Sequence, residues 1–173
     1  MKKLILLLPL VFMLACSGNS GVDDGDEPGV QIVQNAVMYE AKGGRHSWIL
    51  NADTVKFYED REAADLVKPN LTFKDKDDAV STIKGDTGQI SMKEQSIVLR
   101  GNVQGKSVTE NATLRTSVLY YNIETKKIWT DRTVHIKRNG VTVKAAGMKA
   151  NGDFSEIELE NQTTVIPENE KDI

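Results

Sequence analysis

Between Trp48 and Glu160, apolar and polar residues alternate with a period of two, in short runs. Trp48, Leu50 and Ala52 alternate with Ile49 and Asn51. Ile97 and Leu99 flank Val98, and Val134 and Ile136 flank His135. Val141, Val143 and Ala145 alternate with Thr142 and Lys144, and Ile157 and Leu159 with Glu156, Glu158 and Glu160. This period belongs to strands with one buried face. Turn chemistry bounds the runs: Gly43-Gly44, Gly85-Asp86, Gly101-Asn102, Asn139-Gly140 and Asn151-Gly152-Asp153. Asn139-Gly140 predicts a two-residue hairpin, since both residues tolerate positive φ. Gln31 to Lys42 has loose helical spacing at Ile32, Ala36 and Val37. No cap precedes it and two glycines follow, so strand ranks above helix. The pattern predicts an all-β domain.

The runs also repeat. One unit opens at Asp86-Thr87-Gly88 and closes at Leu99 to Val103. A second runs from Thr116 and Leu119 through Ile128 to Val134, and a third from Gly147-Met148 through Ile157 and Leu159 to Val165. Val103, Val134 and Val165 lie 31 residues apart. Tandem hairpin units of this kind predict a β stack growing along one axis, with an apolar interior and unpaired strands at both ends.

The N-terminus predicts where the domain resides. Lys2 and Lys3 precede an apolar run from Leu4 to Ala15, then Cys16. That run matches a signal-peptide core and falls short of the about 20 residues needed to span a bilayer. Leu14-Ala15-Cys16 reads as a lipobox: residues 1–15 are removed and Cys16 carries the lipid. Cys16 is the single cysteine, so no internal disulfide can form and acylation gives the thiol a use. Ser17 to Gly29 holds four glycines and four acids, which predicts a flexible acidic linker over residues 16–29. One domain over residues 30–168 and a frayed tail over 169–173 complete the chain.

Catalytic chemistry finds no support. His46 and His135 are far apart and in no ligand spacing, and no nucleophile elbow, P-loop or dinucleotide fingerprint occurs. Asp75, Asp77 and Asp78 lack the glycine and closing glutamate of a calcium loop and read as a solvated turn. Glu156, Glu158 and Glu160 share one strand face, read as the solvent face. A net charge of −3 without a basic stripe argues against nucleic acid. No enzyme, metal or cofactor is predicted.

The residues Trp48-x-Leu50-x-Ala52, Gly85 with Thr87-Gly88, Leu99-x-Gly101-x-Val103, Thr116-x-x-Leu119-x-Tyr121, Ile128-x-Thr130, Val134-x-Ile136 and Gly147-Met148 resemble the LptC family. This is the membrane-anchored periplasmic component of lipopolysaccharide transport, with its OstA-like repeat. The resemblance covers about residues 36 to 166. It implies an open, twisted antiparallel β-jelly roll forming a slot. It also implies a relay of lipopolysaccharide from an inner-membrane ABC transporter to a periplasmic LptA-like bridge protein, through contacts at sheet edges. Familiar members keep a transmembrane helix; here Cys16 would replace it, holding the domain on the periplasmic side of the inner membrane. Strand parity makes Trp48, Leu50, Leu71, Phe73, Ile83, Ile90, Met92, Ile97, Leu99, Leu119, Tyr121, Ile128, Val134, Ile136, Val143, Met148, Ile157 and Leu159 candidates to line the slot, with Tyr121 at its rim. The competing reading is a structural or assembly lipoprotein whose stack binds proteins only.

Overall fold

The computed structural model describes residues 22–24, 29–42, 45–76 and 78–165. The predicted export segment, Cys16, Asp77, the side chain of His46 and the tail fall outside what is described. Fifteen strands follow in order: β1 (Val22–Asp24), β2 (Val30–Lys42), β3 (Arg45–Tyr58), β4 (Ala63–Val67), β5 (Asn70–Asp75), β6 (Asp78–Lys84), β7 (Thr87–Ser91), β8 (Ser96–Ser107), β9 (Ala112–Asn122), β10 (Lys127–Thr130), β11 (Val134–Arg138), β12 (Val141–Ala145), β13 (Gly147–Asn151), β14 (Ile157–Glu160) and β15 (Thr163–Val165). Neighbours pair antiparallel throughout.

The long strands build the architecture. β3 pairs with β4 through Thr54–Tyr58 but with β5 through Trp48–Asn51. β8 pairs with β7 through Ser96–Arg100 and with β6 through Gln104–Ser107. β9 pairs with β10 at Tyr120–Tyr121 and with β11 at Ala112–Arg115. Each long strand therefore belongs to two sheets and bends between them. The first sheet runs β1-β2-β3-β4-β7-β8-β9-β10-β13-β14; the second takes the other halves of the long strands with β5, β6, β11, β12 and β15. The strands are those of the all-β domain that the alternation predicted, and their arrangement is the antiparallel jelly roll that the resemblance implied.

The sheets join along an apex of bends and short crossovers. Asn35, Lys68, Asn102 and Asn161 sit there with positive φ, a conformation asparagine tolerates better than most residues. Corner bonds tie lap to lap: Lys68 N donates to Asp86 O at 2.9 Å, and Asp86 N to Arg100 O at 3.0 Å. Buried threonines secure another crossover, with Thr116 Oγ1 donating to Thr133 O and Thr130 Oγ1 to Val118 O. The opposite margin of each sheet is a rim of hairpin turns. At Asn139-Gly140 both residues have positive φ, as the hairpin reading requires.

The 31-residue spacing is one lap around this path. Val103 and Val134, both fully buried, open strand segments in the second sheet opposite Thr116 and Ala145. Val165 does not complete the series. It pairs with Thr142, while Thr164 pairs with inward Val143, so the third unit is out of phase. Several connections differ in length, among them the hairpin turn 139–140, with two residues where 108–111 has four. The first-sheet turns 59–62, 92–95 and 123–126 have four residues, whereas 152–156 has five.

A second correction concerns the linker. Val22–Asp24, read as part of a flexible acidic segment, forms β1 and pairs with Gln31–Val33. Backbone pairing along an open sheet edge does not require apolar side chains, so composition gave no sign of it.

Candidate functional site

Alternation sends one side chain in two from both sheets into a shared interior. In β8, Ile97, Leu99, Val103, Gly105 and Ser107 are buried; in β9 the buried set moves from Ala112, Leu114 and Thr116 to Leu119 and Tyr121 across the bend. Of the candidate lining residues, Trp48, Leu50, Leu71, Phe73, Ile83, Ile90, Ile97, Leu99, Leu119, Tyr121, Ile128, Val134, Ile136 and Met148 all lie in one continuous core. Ile157 and Leu159 pack partly buried against it, and Val143 is half-buried beside the last strand.

Two expectations fail. Met92 is 42% exposed, because β7 ends at Ser91 and the turn carries Met92 out of the alternation. Tyr121 is not at a rim with a wet hydroxyl; only 2% of it is exposed. Its ring meets Phe73 of the opposite sheet edge to face, with centroids 4.9 Å apart. Burial, and then the charge of Glu40, push the phenol above its ordinary value, so it stays protonated.

The slot has a mouth between the two rims, and the five-residue turn closes part of it. Ser81 Oγ donates to Gly152 O, and Ser107 Oγ to Asp153 O at 2.8 Å. Phe154 turns inward and is 1% exposed. A Cβ on Gly105 would come within 2.8 Å of the Phe154 ring, and one on Gly152 within 2.8 Å of the Phe73 ring, so both contacts require glycine. Phe154 holds φ at 66°, which costs a bulky side chain about 1–2 kcal/mol. Burying its ring returns about 2–3 kcal/mol, so the inward position wins by a narrow margin. Beside this closure, a cavity of about 300 Å³ remains between the rims, lined by Ser47, Phe73, Val80, Tyr121 and Thr125 among others.

Phe154 was missed by sequence reading because it stands in a turn, outside any alternation. Leu66 and Leu114 were also missed, though Ala64-x-Leu66 and Ala112-x-Leu114 carry the period-two signal. Two side-chain polar atoms among the described residues are buried without a hydrogen-bond partner, the indole Nε1 of Trp48 and Oδ1 of Asn70.

His135 is exposed on the outer face, as parity required, and Glu156, Glu158 and Glu160 face solvent. Among the described residues no cluster of three potential metal ligands occurs, and no helix is long and apolar enough to cross a membrane.

Comparison with known proteins agrees with this geometry. The chain is similar in fold to LptH of Pseudomonas aeruginosa, described as the LptA homologous periplasmic component of the conserved lipopolysaccharide transport device. The TM-score is 0.54 at 9% identity, covering 69% of this chain and 94% of that one. A comparison with curated proteins finds no match. The family model described as "Lipopolysaccharide-assembly, LptC-related" matches residues 6–168. The chain belongs to the LptC-related family of lipopolysaccharide-assembly proteins, and its part in lipopolysaccharide transport is not enzymatic.

Proposed function

We propose that the interior between the two sheets shields the acyl chains of lipopolysaccharide while they move from an inner-membrane ABC transporter to a periplasmic LptA-like bridge protein. Cys16, acylated, holds the domain on the periplasmic side of the inner membrane. The observation that carries this reading is the slot mouth. The two apolar sheet faces join along one margin only, and at the other a turn closes them through Phe154 and two serine hydrogen bonds. Such a closure can yield without breaking either sheet.

The energetics favour such a carrier. At about 0.8 kcal/mol per methylene, a dodecyl-length chain in water costs on the order of 10 kcal/mol. Displacing one phenylalanine costs far less than exposing several such chains. Acyl chains enter as the rims separate and take the place of Phe154 along the Phe73–Tyr121 contact. The unpartnered Trp48 Nε1 offers a hydrogen bond to an ester or amide carbonyl of the bound lipid.

The ends suit a relay. Among the described residues, the second-sheet half of β2 pairs only with β3, and β14 and β15 each pair on one side. Open edges of this kind accept a partner's strand. In this reading the transporter takes the β2 end and the bridge protein the β14–β15 end.

A photocrosslinking residue at Leu99, which is 1% exposed, tests the slot. Crosslinking to lipopolysaccharide only while the ATPase runs is the expected result; none from any inward position rejects it. The close filling of the interior by its own side chains favours the protein-only reading, under which inward positions capture no lipid.

A further inference from the structure

The outer face of the second sheet gathers cations that the chain keeps apart. Strand register sets Lys84, Gln104, Arg115, His135 and Lys144 in one row across β6, β8, β9, β11 and β12. A parallel row holds Lys106, Thr113 and Lys137. All of these side chains are exposed. At about 4.8 Å per strand, the first row spans about 19 Å. Two adjoining depressions of about 610 and 430 Å³ open on this face and share Gln104 and Arg115; Arg132 lines the larger.

No carboxylate stands in either row or lines either depression. Among the described residues, Lys84, Lys106, Arg115, Lys137 and Lys144 make no ion pair. The acid of the neighbouring turn, Glu110, is taken by Arg138. The chain as a whole is acidic, at −3, so its charge is strongly segregated. Glu156, Glu158 and Glu160 belong to the β13–β14 margin of the other sheet.

We infer that this face docks on the anionic phospholipid headgroups of a membrane surface. A broad array of point charges, separated by hydroxyl and amide side chains, matches a plane of headgroups. Within these eight positions the side chains are cationic, amide, hydroxyl or imidazole; the exposed Tyr39 and Val37 lie beyond them, at the β2 end of the same register. Clustered basic side chains draw such a face onto an anionic leaflet. The tether agrees, resting on the anchoring proposed above. β1 starts at Val22, paired with Val33 and close to the apex bend at Asn35. The chain from Cys16 to Val22 can span about 20 Å when extended. That length keeps the apex, which borders the cationic face, near the bilayer.

Vesicle sedimentation tests this with residues 16–173, the expected processed chain, carrying Cys16→Ser, so that neither the apolar run nor an acyl group contributes. Binding to phosphatidylcholine vesicles containing phosphatidylglycerol should exceed binding to phosphatidylcholine alone, and the excess should vanish at high salt. Lys106→Glu with Arg115→Glu should cut the excess at least about tenfold. Lys127→Glu with Lys149→Glu, on the other sheet, should leave it unchanged, with circular dichroism checking the fold of both. Equal binding to the two vesicle types, an excess that survives Lys106→Glu/Arg115→Glu, or equal affinity for soluble short-chain phosphatidylglycerol would overturn the inference. Absence of acylation would appear separately, in the mass of the wild-type protein, and would leave this result standing.

Discussion

Phe73 of the second sheet and Tyr121 of the first meet edge to face across the interior, at 4.9 Å and an interplanar angle of 79°. The contact links the two sheets far from the apex that joins them covalently. Among the described residues, the rims are held together by this aromatic pair, by the Phe154 ring and by the hydroxyls of Ser81 and Ser107 on the carbonyls of Gly152 and Asp153. These are the groups whose alteration should separate opening from folding.

Phe154→Ala should lower stability by about 3 kcal/mol, the usual cost of emptying an aromatic site. It should also increase uptake of an apolar fluorescent probe such as N-phenylnaphthylamine. Urea unfolding and probe titration read the two effects. Lower stability with unchanged uptake would make Phe154 plain core.

Gly105→Ala places a methyl group within 2.8 Å of the Phe154 ring. The turn must then lift, so Gly105→Ala alone should cost about 1–3 kcal/mol. Combined with Phe154→Ala, most of that cost should disappear, giving a coupling of about 1 kcal/mol or more in a double-mutant cycle. Strict additivity would show that the two positions do not communicate.

The tyrosine makes an alkaline prediction. Its native-state pKa is raised from 10.0 by burial and by Glu40, while the unfolded chain keeps the ordinary value. Above about pH 10 the unfolded state therefore binds fewer protons than the native one, and stability falls as pH rises. The wild type should lose stability between pH 10 and 11 more steeply than Tyr121→Phe, by urea unfolding at each pH. Parallel curves would place the hydroxyl in water.

Replacing residues 1–16 by an ordinary cleaved secretory signal, so that neither the apolar run nor an acylated Cys16 remains, should move the protein from the membrane fraction to the soluble periplasmic fraction, read by immunoblotting after fractionation. Growth supported by the variant should fall less than its membrane association, since edge contacts with the transporter can still recruit the domain. Unchanged fractionation would remove the lipid anchor from the account.

Much of the fold was legible because alternation is a local property. Strand period and the Asn139-Gly140 turn can be read within a few residues, and most of the inward set follows from them. What escaped depends on separations that a local reading does not span. The inward parity of β9 shifts from Thr116 to Leu119 only because the strand bends. Phe154 finds Gly105 across 49 positions, with no pattern around it. The cationic face is more extreme. Lys84, Lys106, Arg115 and Lys137 sit in four different runs, each locally unremarkable, and only the register makes them neighbours.

The extra residue in the turn 152–156 gives the slot a direction. Its backbone carbonyls and Phe154 lie over β6, β8 and β9, while the cavity toward β3 stays open. In the relay proposed above, an acyl chain would meet the cavity and the plug in a fixed order, and in the opposite order from the other end.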